Sequence, residues 1–146
     1  MSNYISGYKA GVGIYNAAGS VSNSGTISAS GSHGSDVMLE NGGSVSNDGT
    51  ISASGGVPVY LRGSGTLTNG GSIIETSVSG TIGVAVDLIS GGSIYNTTGG
   101  IISATGVAID SSNETSIYNA VGATISASGG EDQGVILGSG GTIIIN

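Results

Sequence analysis

The sequence predicts an all-β fold: a right-handed parallel β-helix of about six three-strand coils in one domain over residues 1–146. Three observations predict it. A block returns almost unchanged, apolar residues alternate strictly inside each copy, and small or β-branched residues dominate. SVSNSGTISASG at residues 20–31 recurs as SVSNDGTISASG at residues 44–55, and self-similarity at such a period is the mark of a solenoid. Glycine accounts for 30 of 146 residues, hydrophobic residues for 37%, and there is no Phe, Trp or Cys. Only 8% of residues are charged, so the pairing of low hydrophobicity with high charge that keeps chains disordered is absent.

Each copy carries three short segments in a fixed order. The first strand reads Val12 and Ile14, Val37 and Leu39, Val57 and Val59, Val84 and Val86, Val107 and Ile109, Val135 and Leu137. The second carries Val21, Val45, Leu67, Ile94, Ile117 and Ile143, and two residues beyond the first five stand Asn23, Asn47, Asn69, Asn96 and Asn119. The third sets Ile27, Ile51, Ile73, Ile102 and Ile125 one pleat from Ala29, Ala53, Glu75, Ala104 and Ala127. Residues two apart on a strand share a face, so all these positions point inward. From Val12 to Val135 is 123 residues over five steps, about 24.6 per coil, too long for the roughly 18-residue turn of a hexapeptide solenoid.

Stacking such coils pairs each strand with its copies above and below, and thin coils demand small residues inside. The asparagines, each just before a turn such as NSGT or NDGT, are expected to form a structural ladder that satisfies buried polar groups. Glu75 breaks the alanine column, which implies either a bulged coil or an acid turned outward. The gap from third to first strand runs 8, 4, 9, 3 and 8 residues. The longer loops, around residues 30–36, 76–83 and 128–134, are therefore the places where recognition could be grafted.

Blocks such as GGSVSNDGTISASG resemble the passenger regions of bacterial autotransporter adhesins and of filamentous-haemagglutinin-type surface proteins. That resemblance implies a right-handed β-helix projecting from a cell surface, in an extracellular or surface location. The chain departs from those proteins in showing no signal segment, no translocator barrel and no aromatic-rich chaperone segment near its C-terminus. Either an excised piece of a passenger or an independent small subunit fits this pattern.

The formal charge is −7, with Lys9 and Arg62 the only basic side chains, so no cationic surface is expected for nucleic acid or for an anionic membrane. No segment reaches the roughly 18 apolar residues of a membrane-spanning helix. No catalytic, metal or cofactor site is expected. His33 has only Asp36 near it in sequence, Glu131 and Asp132 could hold calcium weakly, and no phosphate or dinucleotide motif stands in a strand-to-helix setting. Glu40, Asp87 and Asp110 fall near equivalent outward positions, interrupted by Tyr60, and read as a solvated acidic stripe. Thr26, Ser28, Thr50, Ser52, Thr124 and Ser126 form an outward array of the kind ice-binding solenoids carry, broken by Ile74, Ile101 and Ile144.

The ends suggest assembly. Tyr4, Ile5 and Ser6 resemble the start of a third strand, while Thr142, Ile143, Ile144 and Ile145 end the chain on a second strand. Neither end carries a recognisable cap, and open strand edges invite pairing. The expectation is a structural fibre or adhesive surface subunit whose partners are copies of itself, stacked head to tail, with host or neighbouring cell-surface glycans as possible further partners. The alternatives are a carbohydrate-binding or carbohydrate-cleaving module, for which Tyr60, Tyr95 and Tyr118 are the stacking candidates, and an ice-binding solenoid.

Overall fold

The computed structural model describes residues 4–7, 10–31, 34–77, 83–129 and 133–146. Its strands fall into six layers of three. The first layer holds β1 (Tyr4–Gly7), β2 (Ala10–Ile14) and β3 (Gly19–Asn23), and the second holds β4 (Thr26–Ala29), β5 (Ser35–Leu39) and β6 (Gly43–Asn47). Then come β7 (Thr50–Ala53), β8 (Val57–Leu61) and β9 (Gly65–Asn69), followed by β10 (Ser72–Glu75), β11 (Val84–Leu88) and β12 (Gly92–Asn96). The last two layers hold β13 (Ile101–Ala104), β14 (Val107–Ser111) and β15 (Thr115–Asn119), then β16 (Thr124–Ala127), β17 (Gln133–Leu137) and β18 (Gly141–Ile145). Every third strand joins one sheet, giving sheet A (β1 to β16), sheet B (β2 to β17) and sheet C (β3 to β18). All strand pairings are parallel, and none of the described residues is helical. The fold is a parallel β-helix.

Like residues stack because the sequence repeats at the pitch of the coil. Ile5, Ile27, Ile51, Ile73, Ile102 and Ile125 form one column of sheet A, and Ile27, Ile51, Ile73 and Ile102 are buried to within 2%. Val21, Val45, Leu67, Ile94, Ile117 and Ile143 form the matching column of sheet C. Each such side chain, fully buried, contributes about 1.5–3 kcal/mol relative to exposure. Among the described residues, Val12, Ile14, Val21, Ile125, Val135 and Leu137 in the outer layers are only partly covered, yet pack on the same core. The corner between sheets B and C depends on glycine: Gly43 has φ 125°, and a Cβ there would lie 1.9 Å from the Gly19 carbonyl oxygen.

Four expectations need correction. Sheet B is shifted by two residues in its middle layers: Val59 pairs with Val37 and Leu61 with Leu39, leaving Val57 opposite Ser35. Val84 and Val107 follow Val57's row, and Val86 and Ile109 follow Val59's. A slip of two keeps the same side chains facing inward, so the alternation alone could not reveal it. With this register the gaps from the sheet A column at Ala29 to the Val37 row become 8, 6, 11, 5 and 8 residues.

Glu75 is neither bulged nor turned outward. It pairs with Ala53 in register and is 1% exposed. Glu40 leaves the acidic column: Asp87 pairs with Asp110 on one side and Tyr60 on the other, while Glu40 lies one residue beyond β5 and forms an ion pair with Arg62 at 3.0 Å. Ile144 belongs to sheet C, beside Tyr118, and so does not interrupt the threonine array of sheet A; Ile74 and Ile101 do.

Candidate functional site

The asparagines line the corner where sheet C passes into sheet A. Each ends a sheet C strand with its side chain inward, and the turn that follows exposes backbone carbonyls that need donors. Asn23 Nδ2 donates to Asn47 Oδ1, Asn47 to Asn69, Asn69 to Asn96 and Asn96 to Asn119, each at 2.8 Å. The same amides donate to the carbonyls of their own turns, at Gly25, Gly49, Gly71 and Gly100. They also reach into the next layer, to the carbonyls of Thr50, Ser72, Ile101 and Thr124. Asn47, Asn69 and Asn96 are fully buried. The ladder is therefore a one-way chain of amides in which every donor points toward the C-terminal end. Its sixth position is Ile145, opposite Asn119.

The opposite corner, where sheet A passes into sheet B, is built differently. The pairings step over one position, going from Ala10–Ser35 directly to Val12–Val37 and from Val84–Val107 to Val86–Ile109. The strand bends there and turns that residue inward. A Cβ on Gly11 would meet Ile27 at 2.7 Å, and Ala85 and Ala108 belong to the core. Pro58 fits this row, since a position outside the ladder loses nothing by lacking an amide hydrogen. Sequence reasoning missed this inward row because it breaks the period of two. Its one visible signal was the run of small residues Gly11, Ala85 and Ala108.

Two acids lie inside this corner. Asp36 is fully buried, and among the described residues neither carboxylate oxygen has a hydrogen-bond partner. Burial pushes its pKa up to about 7, and the nearby Ala29 backbone opposes the rise only weakly. Glu75 instead accepts from the Thr105 amide at 3.2 Å, the Thr105 hydroxyl at 2.8 Å and the Ser77 hydroxyl. Gly83 makes room for it, since a Cβ there would lie 1.8 Å from the carboxylate.

On the outer face of sheet B stand Tyr60, Asp87 and Asp110 in one column. Burial, and then the neighbouring Asp110 charge, raise the Asp87 pKa to about 6. Tyr95 and Tyr118 are adjacent on the outer face of sheet C, so Tyr60 does not share a surface with them. Among the described residues, no group of three or more His, Asp or Glu could hold a metal ion. His33, Glu131 and Asp132 lie outside the described residues, as do parts of the three long loops. No described helix is long and apolar enough to cross a membrane.

Among the described residues, none covers either end face of the coil. At one end Ile5, Val12, Ile14 and Val21, with Ser20, Ser22, Asn23 and Thr26, line a hollow of mixed polarity; at the other, Ile125, Val135, Ile143 and Ile145 line a more apolar counterpart. Ile5 is 46% exposed, Ile143 44% and Ile145 75%, whereas Ile27, Ile51, Ile73 and Ile102 in the first column and Val45, Leu67, Ile94 and Ile117 in the second are buried. For Tyr4 and Ser6 only the backbone is described, paired with Thr26 and Ser28. Set against known proteins, the chain matches no family model, no curated sequence and no solved structure.

Proposed function

We propose that this chain is a structural subunit, not an enzyme, whose coils stack end to end into an extracellular or cell-surface fibre. The observation that supports this reading is the match between the two end faces. Each sheet is six strands deep, so one face begins with β1, β2 and β3 and the other finishes with β16, β17 and β18. A second copy set on the C-terminal face meets it in the same columns, isoleucine on isoleucine in sheet A. The path leaving β18 passes to sheet A, where β1 of the next copy would lie.

Such a contact is heterologous and does not close, so it propagates as a filament. Exposed strand edges and an uncovered apolar interior drive it. Purified protein should form unbranched filaments by negative-stain microscopy, with a diffraction repeat of about 4.8 Å along the axis. Removing residues 1–9 should stop elongation while the remaining coils stay folded. A persistent monomer with intact β-type circular dichroism would overturn the reading.

One observation favours a second reading, a carbohydrate-binding surface: the stacked column of Tyr60, Asp87 and Asp110. Glycan-array binding that disappears in Tyr60→Ala supports it, and an empty array removes it.

A further inference from the structure

The asparagine ladder is incomplete at the C-terminal face, and the missing parts can be named atom by atom. Asn23, Asn47, Asn69 and Asn96 each donate three times: to their own turn, to the next asparagine and to the first residue of the sheet A strand one layer on. Among the described residues, Asn119 donates only to the Ala123 carbonyl, at 3.2 Å, while remaining 8% exposed. Its next-asparagine position is filled by Ile145, which offers no acceptor. Its next-layer carbonyl would belong to the strand that stacks on β16. In register that strand is β1 of another copy, and the residue equivalent to Thr50, Ser72, Ile101 and Thr124 is Tyr4, since Tyr4 pairs with Thr26 and Thr26 with Thr50. At the other face, Asn23 Oδ1 accepts from the Gly25 amide at 3.2 Å, and among the described residues no asparagine lies beneath it.

We infer that the end-on contact is a register-locked joint in which the Tyr4 carbonyl of the next copy accepts the hydrogen Asn119 leaves unused, while Ile145 interrupts the ladder and makes this the layer at which the fibre opens. This rests on the stacking reading above. From Asn23 to Asn119 the layers of a subunit are held by ladder bonds as well as by backbone and core; from β18 onward the core and backbone continue, but Ile145 breaks the ladder and stands between Asn119 and the next copy's Asn23. A buried amide facing a methyl group forfeits a hydrogen bond that the layers of Asn23, Asn47, Asn69 and Asn96 make.

The test is Ile145→Asn in the full chain, with Ile145→Val as the apolar control, followed by light scattering after dilution. The new asparagine accepts from Asn119 and donates to Asn23 of the next copy. Fibres of Ile145→Asn should lose subunits about fivefold more slowly than wild type, the factor that one net hydrogen bond supplies, and Ile145→Val should stay within about twofold. Equal or faster loss from Ile145→Asn, with unchanged circular dichroism, overturns the joint and leaves stacking intact. Wild-type protein that never elongates overturns both. A measurement on unmodified protein stands independently of the variant's folding: the Asn119 side-chain amide should exchange at least about tenfold more slowly in fibres than in dissociated subunits. Equal exchange in the two states would also refute the joint.

Discussion

The two corners that flank sheet A solve the same problem in opposite ways. At the corner entered from sheet C, one residue type does one thing in four successive layers, and its amides satisfy three kinds of carbonyl. At the corner leaving sheet A, the connection varies from 5 to 11 residues and the inward row holds glycine, aspartate, proline and alanine. Repetition allows a polar group to be buried because its own copies are its partners. Where repetition lapses, a buried acid either finds improvised partners, as Glu75 does with Thr105 and Ser77, or finds none among the described residues, as with Asp36.

The sharpest way to break this contrast is Asn69→Leu. It removes the acceptor of Asn47 and strips donors from the carbonyls of Gly71 and Ile101, each loss costing about 1–3 kcal/mol when the group stays buried. Urea unfolding should show a loss of about 3 kcal/mol or more; a loss below about 1 kcal/mol would mean the ladder is dispensable.

At the irregular corner, removing the acid without described partners, Asp36, should help rather than hurt. The Asp36 pKa is raised in the folded chain from 3.8 to about 7, so between those values the folded state holds a proton that the unfolded state has released. Stability should therefore fall as pH rises from about 4 to 7 and level off above it, losing about 1.4 kcal/mol with each step of one in pH and a few kcal/mol in all. Asp87 adds a smaller slope of the same sign, because it is partly exposed to water. Asp36→Ala, which gives the row the residue found at Ala85 and Ala108, should flatten most of the slope and raise stability at pH 8 by about 2 kcal/mol or more. Denaturation midpoints at pH 5 and pH 8 decide it, and an unchanged slope would place the titrating group elsewhere.

The smallest effect belongs to Glu75→Ala. Alanine is the residue of this column in the neighbouring layers, while Thr105 and Ser77 lose their acceptor, so the net cost should be about 1 kcal/mol. A cost equal to that of Asn69→Leu would erase the distinction between improvised and repeated partners.

Much of this was legible before any coordinates. Alternation identified the strands and their inward faces, and the spacing of Asn23, Asn47, Asn69, Asn96 and Asn119 marked the ladder column. The sheet B register was not legible, because Val57, Val84 and Val107 satisfy the apolar rule as well as Val59, Val86 and Ile109 do. The Asp36 row escaped for the opposite reason: a bend places consecutive residues inward, and a period of two cannot express that. Glu75 was visible as an exception, but its partners lie in another coil, and Thr105 gives no sign of its role in sequence.

The vertical sameness of the Asn47 and Asn69 layers has an evolutionary corollary. Deleting or duplicating a whole turn sets equivalent residues against one another again, so the neighbours of the cut meet surfaces they already fit. Length in this molecule is thus a quantity that can be edited in units of one circuit, and gene-level slippage within repeats such as SVSNDGTISASG would produce shorter or longer tubes with little new chemistry to invent.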